Sequence, residues 1–437
     1  MRFFKGGVHP YDGKELSKNK PVSKLDAGEE LVFPMQQHIG APAAPCVKKG
    51  DSVLVGQIIG TASGFVSANI LSSVSGTVKA LEPRAIDNGT KVMSVVVTND
   101  FEYRTVEGFG KDKSYEDMDR DSFLEAVKNA GIVGMGGANF PAHIKLAADP
   151  EKIDRIIVNA SECEPYLTSD YRAMLERAEE IIGGLSVILH FFPKASGVIA
   201  VEDNKSDAAE HIQSLIGGQK NISLKVLQTK YPQGAERMLI YAVTGRQINS
   251  KMLPADAGCI VHNIDTVCSI YRAICKSIPS IRRIITVTGD AITNPQNFDA
   301  PLGMSFREVV DAAGGFKTNP QKIISGGPMM GKSISSLDIP ITKGTTSVLA
   351  LTKDQASAKS SNCIRCGRCV KACPEHLVPQ KISVLAAERQ YDEFIKWNGT
   401  ECVGCGCCSY VCPAKRPLSQ EISTARAKSI QLLKSRK

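Results

Sequence analysis

The chain has 437 residues, 43% hydrophobic and 22% charged, with a formal net charge of +8; this is the balance of a globular protein too long for one ordinary core, expected to divide into about three or four domains. No run reaches the roughly 18 apolar residues of a membrane span, and the nearest, 181–192, contains Gly183, Gly184 and His190. With 6% aromatic residues and no basic stripe interleaved with aromatics, nucleic acid is disfavoured as a partner. No N-terminal apolar stretch marks a signal peptide, so a reducing compartment with free thiols is expected.

Four segments follow one another. Residues 1–110 carry, from about Phe33 to Leu81, short apolar runs punctuated by Gly and Pro, "VKKGDSVLVGQIIG" and "SANILSSVSGTVKAL", which predict short strands with tight turns. This stretch resembles the barrel-sandwich hybrid of biotinyl and lipoyl carriers. Those carriers present a lysine for attachment, whereas none occurs between Lys49 and Lys79, so a docking scaffold without a swinging arm is expected. Residues 111–280 alternate between two periodicities. Helices are predicted at 122–130, 171–182, 208–216 and 235–244, and strands at 155–159, 196–201 and 224–229. Such alternation implies a multidomain α/β protein whose Rossmann-like sheet binds ligands beyond the carboxyl ends of its strands.

Residues 281–350 contain "IITVTGDA", a predicted helix at 306–313 and "KIISGGPMMGKSI". They resemble a soluble-ligand-binding β-grasp module. The polar stretch 353–362, "KDQASAKSSN", reads as a linker. Residues 351–437 hold two cysteine runs separated by a predicted amphipathic helix at 381–396, whose Ile382, Leu385, Phe394 and Ile395 could shield them from water. After Glu421 the tail carries Arg426, Lys428, Lys434, Arg436 and Lys437 with no acid. That pattern suits an anionic lipid surface, an acidic protein partner, or a solvated terminal helix.

The two runs share one form: Cys363-x-x-Cys366-x-x-Cys369-x-x-x-Cys373-Pro374 and Cys402-x-x-Cys405-x-x-Cys408-x-x-x-Cys412-Pro413. This is the spacing of a ferredoxin with two cubane clusters, in which the fourth cysteine of each run reaches the other cube. On that crossed rule Cys363, Cys366, Cys369 and Cys412 hold one [4Fe-4S] cluster, and Cys373, Cys402, Cys405 and Cys408 hold the second. Structural zinc wants two C-x-x-C pairs and has no use for a third thiolate followed by Cys-Pro, repeated twice. Cys407 is read as a spare thiol.

Three polar loops on the α/β segment are candidates for an organic cofactor. The first is Gly134-Met135-Gly136-Gly137-Ala138-Asn139-Phe140-Pro141, followed by Lys145, where glycines let consecutive N–H groups face phosphate oxygens. It does not fit the usual dinucleotide fingerprint, which follows a strand and opens a helix. The second, Asn159-Ala160-Ser161-Glu162-Cys163-Glu164-Pro165, follows the strand-like "RIIVN". The third is Val261-His262-Asn263-Ile264-Asp265-Thr266. Each taken alone could be a turn or a helix cap; three on one unit converge on a ligand better than one.

These loops are similar to the flavin- and NADH-binding subunit of respiratory complex I, where they read G-R-G-G-A-G-F-P, N-A-D-E-S-E-P and V-N-N-V-E-T. The resemblance implies that Gly134, Gly136, Gly137, Ala138 and Lys145 embrace FMN and its phosphate side, and that Phe140 stacks near the NADH adenine. It further implies flavin contacts from Asn159, Ser161, Glu162 and Cys163, a nicotinamide-side contact from Glu164, and flavin-phosphate contacts from Asn263 and Thr266. Glu236, in Gly234-Ala235-Glu236, resembles a second acidic nucleotide contact. Met135, Asn139, Ser161 and His262 depart from that pattern.

The complex I subunit ends in one cluster, whereas this chain ends in a helical two-[4Fe-4S] ferredoxin-like segment. That combination, together with "FFKGGVHP", "YPQGAER" and "SGGPMMG", resembles the RnfC family of the Rnf electron-transport complex over essentially the whole chain. The resemblance implies noncovalent FMN, NAD(H) as substrate, and two [4Fe-4S] clusters. It also implies an iron-sulfur partner subunit that meets ferredoxin, integral membrane subunits that move Na+ or H+, and a peripheral place on the cytoplasmic face of the membrane. Two alternatives stay open: an NADH-reactive subunit of a soluble, bifurcating dehydrogenase or hydrogenase, and a flavin-free electron-relay adaptor.

Overall fold

The computed structural model describes residues 3–436. An N-terminal strap leads into β1 (Ser23–Lys24), and an antiparallel module follows: β2 (Glu30–Pro34), β3 (Ala44–Pro45), β4 (Ser52–Val53), β5 (Ile58–Thr61), β6 (Ile70–Leu71), β7 (Gly76–Ala85) and β8 (Lys91–Asn99). Two sheets, β2-β8-β7-β4 and β3-β5-β6, enclose Leu31, Phe33, Val53, Ile59, Ile70, Val78, Val95 and Val97. The module runs past the stretch legible as short strands, because its two longest strands form the hairpin beyond Gly76.

The α/β unit comprises α1 (Arg120–Asn129), α2 (Ala142–Leu146), β9 (Arg155–Ala160), α3 (Ser169–Glu176), α4 (Ala178–His190), β10 (Ser196–Glu202), α5 (Ser206–Ile216), β11 (Ile222–Leu227), α6 (Glu236–Thr244), β12 (Cys259–Asn263) and α7 (Ile264–Lys276). All its strands are parallel, in the order β11-β10-β9-β12. Ile156, Ile157 and Val158 are fully buried, as strands covered on both faces require. The chain leaves β9 towards β10 on one side and returns to β12 on the other. The switch point, where a crevice opens, therefore lies between β9 and β12. The helix expected at 171–182 is two helices, broken at Arg177 (φ −135°), whose guanidinium reaches Asp299 at 2.8 Å.

The third unit consists of β13 (Arg282–Thr288), β14 (Gln296–Pro301), α8 (Phe306–Ala312), β15 (Lys322–Ser325), β16 (Lys332–Ile334) and β17 (Ser347–Leu351). Its mixed sheet, β1-β14-β13-β17-β15-β16, recruits β1 from the N-terminal segment. Helix α8 starts on a capping box, Ser305 with Glu308, and buries Phe306, Val309 and Val310 against the sheet.

The cluster unit holds α9 (Arg368–Ala372), α10 (Pro379–Ala387), α11 (Tyr391–Lys396), α12 (Cys407–Tyr410) and α13 (Leu418–Ser435). The helix expected at 381–396 is interrupted at Arg389, which takes φ +57°; α10 and α11 fold back so that Ile382, Leu385 and Phe394 meet Leu418 and Ile422. In the tail, Arg426 donates to the Thr400 carbonyl and Arg436 pairs with Asp392 at 2.7 Å, so part of its charge is used within the chain.

The strap ties the units together. Gly7 N–H donates to Ala372 O at 2.9 Å, Val8 exchanges backbone bonds with Tyr231 at 2.8 and 2.9 Å, and the Lys230 ammonium lies 4.5 Å from the Phe4 ring centre. Gly6 has φ +82°, and a Cβ there would stand 2.6 Å from Cys373 O and 2.8 Å from its carbonyl carbon. Neither backbone atom can yield cheaply. Gly6→Ala is expected to cost about 2 kcal/mol or more, seen as a lowered thermal midpoint; an unchanged midpoint would show the strap to be loosely held.

Candidate functional site: a glycine cradle joined to two rings of thiols

The glycine loop spans α1 to α2 and closes on itself, with Gly134 N–H donating to Phe140 O at 2.7 Å. Gly136, Gly137 and Ala138 are exposed, and Phe140 is half-buried. Gly136 has φ +86°, and a Cβ there would press on the Asn263 amide at 2.9 Å, while nothing lies within 4 Å of the Cβ direction of Gly137. The loop thus offers bare backbone to open space beside the end of β12. Thr266, wholly buried, accepts from Met135 N–H at 2.9 Å and donates to Val133 O at 3.2 Å. Its hydroxyl holds the loop in place and has no reach left for a phosphate.

Asn159 and Asn263 are register partners at the carboxyl ends of β9 and β12, on the switch point. The Asn159 amide donates to Gly234 O at 2.9 Å. Asn263 caps α7 through Asp265 N–H at 2.9 Å and donates to Asp170 at 2.7 Å. Burial, then the Glu162 and Asp265 charges, push the Asp170 carboxyl up to about 7. Lys145 reaches Glu236 at 3.1 Å and Val261 O at 3.2 Å, drawing two predicted site residues together.

The Ser161–Glu164 loop is held from beneath by two buried ammonium groups. Lys205 donates to Ser161 O at 2.7 Å and pairs with Glu202 at 3.2 Å. Lys14, from the strap, donates to Glu164 O at 3.1 Å and to Leu167 O, and lies 3.8 Å from Glu162. Glu162 itself caps α3, accepting from Asp170 N–H at 2.7 Å and Tyr171 N–H at 3.3 Å. Cys163 Sγ accepts from Gly234 N–H at 3.2 Å, and burial pushes the thiol up to about 12. The Glu164 carboxylate accepts from Met329 N–H at 2.7 Å and Met330 N–H at 3.2 Å. It therefore clamps the "SGGPMMG" loop of the third unit, where the resemblance would turn it to the nicotinamide.

Buried polar atoms left without partners include Ser161 Oγ, Asn139 Oδ1 and both ring nitrogens of His262. Burial drives the His262 imidazole down to about 3, so it is neutral. Unpaired polar groups on the three loops, with the bare backbone of Gly136 and Gly137, suit a polar ligand, so these residues fit FMN.

The cysteines form two rings. Cys363, Cys366, Cys369 and Cys412 line one cavity; Cys373, Cys402, Cys405 and Cys408 line another, together with Cys407. Among the described residues no three His, Cys, Asp or Glu side chains converge where a single metal ion could sit. The thiols surround space instead, which suits the corners of a cube better than a zinc tetrahedron. Cys407 is fully buried, with its Sγ 3.9 Å from Tyr231 O.

The rings are not equivalent. Tyr231 donates its hydroxyl to Cys405 O at 2.7 Å and packs with Cys163, Met329, Cys405 and Cys407, so the second ring abuts the Ser161–Glu164 loop. The first ring faces outwards, with Cys363 and Cys366 exposed. Sequence reasoning missed Lys14, Lys205, Asp170 and Tyr231. Lys14 lies just beyond "FFKGGVHP" and Tyr231 opens "YPQGAER", but only the fold shows what those segments touch.

A glycine cradle at a sheet's switch point, on a unit whose Ser161–Glu164 loop packs through Tyr231 against one of two four-cysteine rings, defines a flavin and iron-sulfur electron-transfer protein. Four family models match in chain order: an RnfC barrel sandwich hybrid domain at 2–102, a Nuo51 FMN-binding domain at 127–272, an SLBB domain at 284–333 and a 4Fe-4S dicluster domain at 356–419. The chain is 45% identical to the RnfC-type component of the Na(+)-translocating ferredoxin:NAD(+) oxidoreductase complex of Acetobacterium woodii, over 98% of this chain and 97% of that one. It is 44% identical to the proton-translocating counterpart of Clostridium ljungdahlii, over 90% of this chain and 86% of that one. With the corresponding component of the ion-translocating oxidoreductase complex of Salmonella paratyphi A it shares 34% identity over 89% of its own length and 53% of the longer relative. The chain belongs to the RnfC family. An NAD+-reducing [NiFe]-hydrogenase shares the fold at a TM-score of 0.50 and 17% identity, over 72% of this chain and 61% of that one.

Burial raises the Glu164 carboxyl from 4.5 to about 7, against the pull of the Met329 and Met330 N–H groups. The folded state thus holds this proton more tightly than the unfolded one. Its stabilising effect is complete below about 4.5 and lost as pH rises to about 7. Glu164→Gln should remove that decline, which denaturant titrations across the interval would register; an identical pH slope in the variant would count against it.

Proposed function

We propose that this chain is the NADH-reactive subunit of a membrane-bound electron-transport complex, exchanging electrons between NAD(H) and ferredoxin while partner subunits translocate Na+ or H+. The observation that carries the reading is the contact through Tyr231 between the Ser161–Glu164 loop and the ring of Cys373, Cys402, Cys405 and Cys408. FMN supplies the exchange between a two-electron hydride and single electrons when bound. The chain's part is to bind, orient and exclude water. Backbone N–H groups of Gly136, Gly137 and Ala138 face the phosphate side, Asn159, Ser161 and Asn263 edge the crevice, and Phe140 offers a face for the adenine. The Lys145–Glu236 pair stands at the same end of the sheet.

The crossed cysteine assignment is part of this proposal. Cys363, Cys366, Cys369 and Cys412 form the outer cluster site, and Cys373, Cys402, Cys405 and Cys408 the inner one. Ile382, Leu377 and Ile422 line the inner cavity and keep water from it. Among the described residues no helix is long and apolar enough to cross a membrane, so ion movement belongs to partners. We place the chain peripherally on the cytoplasmic face, a reading that the redox chemistry supports. Near full-length likeness to Rnf subunits supports this reading over a soluble dehydrogenase component.

Anaerobic purification should give about eight iron atoms and one noncovalent flavin per chain, with NADH bleaching the flavin and EPR signals appearing from both clusters. About four iron atoms would mean that one run is misread. Cys412→Ser should remove the outer cluster with its three partners from the first run, and Cys373→Ser the inner one. If Cys373→Ser instead damages the site of Cys363, Cys366 and Cys369, the crossing is wrong.

A further inference from the structure

The two thiol rings repeat one local structure. In each, an N–H two residues beyond the first cysteine donates to its sulfur at 3.4 Å, Arg365 to Cys363 and Gly404 to Cys402. In each, the second cysteine is followed by a glycine at positive φ that opens a short helix, Gly367 at +73° and Gly406 at +79°. The first residue of that helix therefore takes the same place beside its ring, and there the repeat breaks. In the outer ring it is Arg368, which is exposed; in the inner ring it is Cys407, which is fully buried. Both line their cavities.

The Cys407 thiol has one hydrogen to give and two neighbours that can take it. Its side chain hydrogen-bonds with that of Cys405, and its Sγ lies 3.9 Å from Tyr231 O. That carbonyl already accepts from Val8 N–H at 2.8 Å. With Cys405 as a thiolate on a cluster, its sulfur is the charged acceptor of the two and the stronger one. The inner cavity is lined by no Lys or Arg, and by one acid, Glu375, so a donor there is not duplicated by a cationic side chain in its lining. A buried cysteine can also serve as a small apolar filler, and Cys407 packs with Val8, Tyr231 and Ala372. Filling accounts for the size of the side chain and not for the contact between its sulfur and that of a ring cysteine.

We propose that Cys407 is a positioning residue for electron transfer: it holds no iron, and its S–H donates to the Cys405 sulfur so that the inner cluster takes up an electron more readily. The inference rests on the reading of Cys373, Cys402, Cys405 and Cys408 as a cluster site. Hydrogen bonds to cluster sulfurs help set reduction potentials. A donor favours the reduced cube, which carries one more negative charge than the oxidised one. No bond forms or breaks, and the S–H keeps its proton in both states. The donor stands where Tyr231 joins the inner ring to the Ser161–Glu164 loop, so it acts on the cluster that adjoins the flavin unit.

The test uses the full chain, purified anaerobically with its iron counted, and a potential titration of both clusters followed by EPR. Cys407→Ala should keep about eight iron atoms while one of the two signals becomes harder to reduce. At a fixed potential its reduced-to-oxidised ratio should fall about threefold, which is about 28 mV at about 59 mV per tenfold for one electron. The other signal should stay in place. Cys407→Ser restores a donor and should return the displaced signal to the parent's potential or above it. Cys407→Val, which fills the space without a donor, should behave as alanine does and serves if alanine disturbs folding. An equal displacement in the serine and alanine variants would mark packing alone, and no displacement in alanine or valine would leave the S–H without effect; either result overturns the proposal. Iron loss in the alanine and valine variants alike overturns it too, since Cys407 would then be a ligand or a support of the fold. The parent's iron count reports on the cluster reading by itself, so the two failures are distinguishable.

Discussion

Electron tunnelling weakens steeply with the gap it must cross, so the useful constraint on this molecule is a distance between two sites carried by different domains. One hydrogen bond stands at that junction, from the Tyr231 hydroxyl to the Cys405 carbonyl. Around it the structure is fastened from several sides. Tyr231 is paired with Val8 of the strap, Glu164 grips Met329 and Met330, and a Cβ on Gly406 would stand 3.0 Å from Met329 O. Strap, α/β unit, third unit and cluster unit thus share one joint. Separating any of them would lengthen the route between cradle and inner ring.

The same joint explains the burial of so much charge beneath it. Lys14 and Lys205 give up hydration to hold carbonyls of a single loop, with Glu162 and Glu202 as their counter-charges. Such burial is expensive unless every group is paired, and its return is a loop with little freedom. Rigidity at the end of β9 matters because small displacements of a bound ring change its orientation towards both substrate and cluster.

What the sequence disclosed, it disclosed through short-range patterns. The cysteine runs are legible because cluster geometry fixes spacing within each run, and the glycine loop because bare backbone leaves a compositional trace. The alternation of β9, β10 and β11 with helices was equally plain. Breaks and clamps were not. Arg177 ends a helix while held by Asp299, distant along the chain, and Arg389 interrupts an amphipathic pattern that continues across it. Strand β1 is two residues long and acquires meaning only against β14. Glu164 carries the same letter as its counterpart in the complex I subunit, but its carboxylate goes to a loop in another domain. No local pattern encodes that choice.

The strap also sets an order on biogenesis. The amide of Gly7 has as its acceptor the carbonyl of Ala372, a residue of the cluster unit that emerges from the ribosome long after the strap. Early domains can fold as they appear, yet this clasp must wait for the cluster unit. Until it shuts, the side of the inner ring that Gly6 and Val8 cover, beside Cys373 and Cys405, stays open.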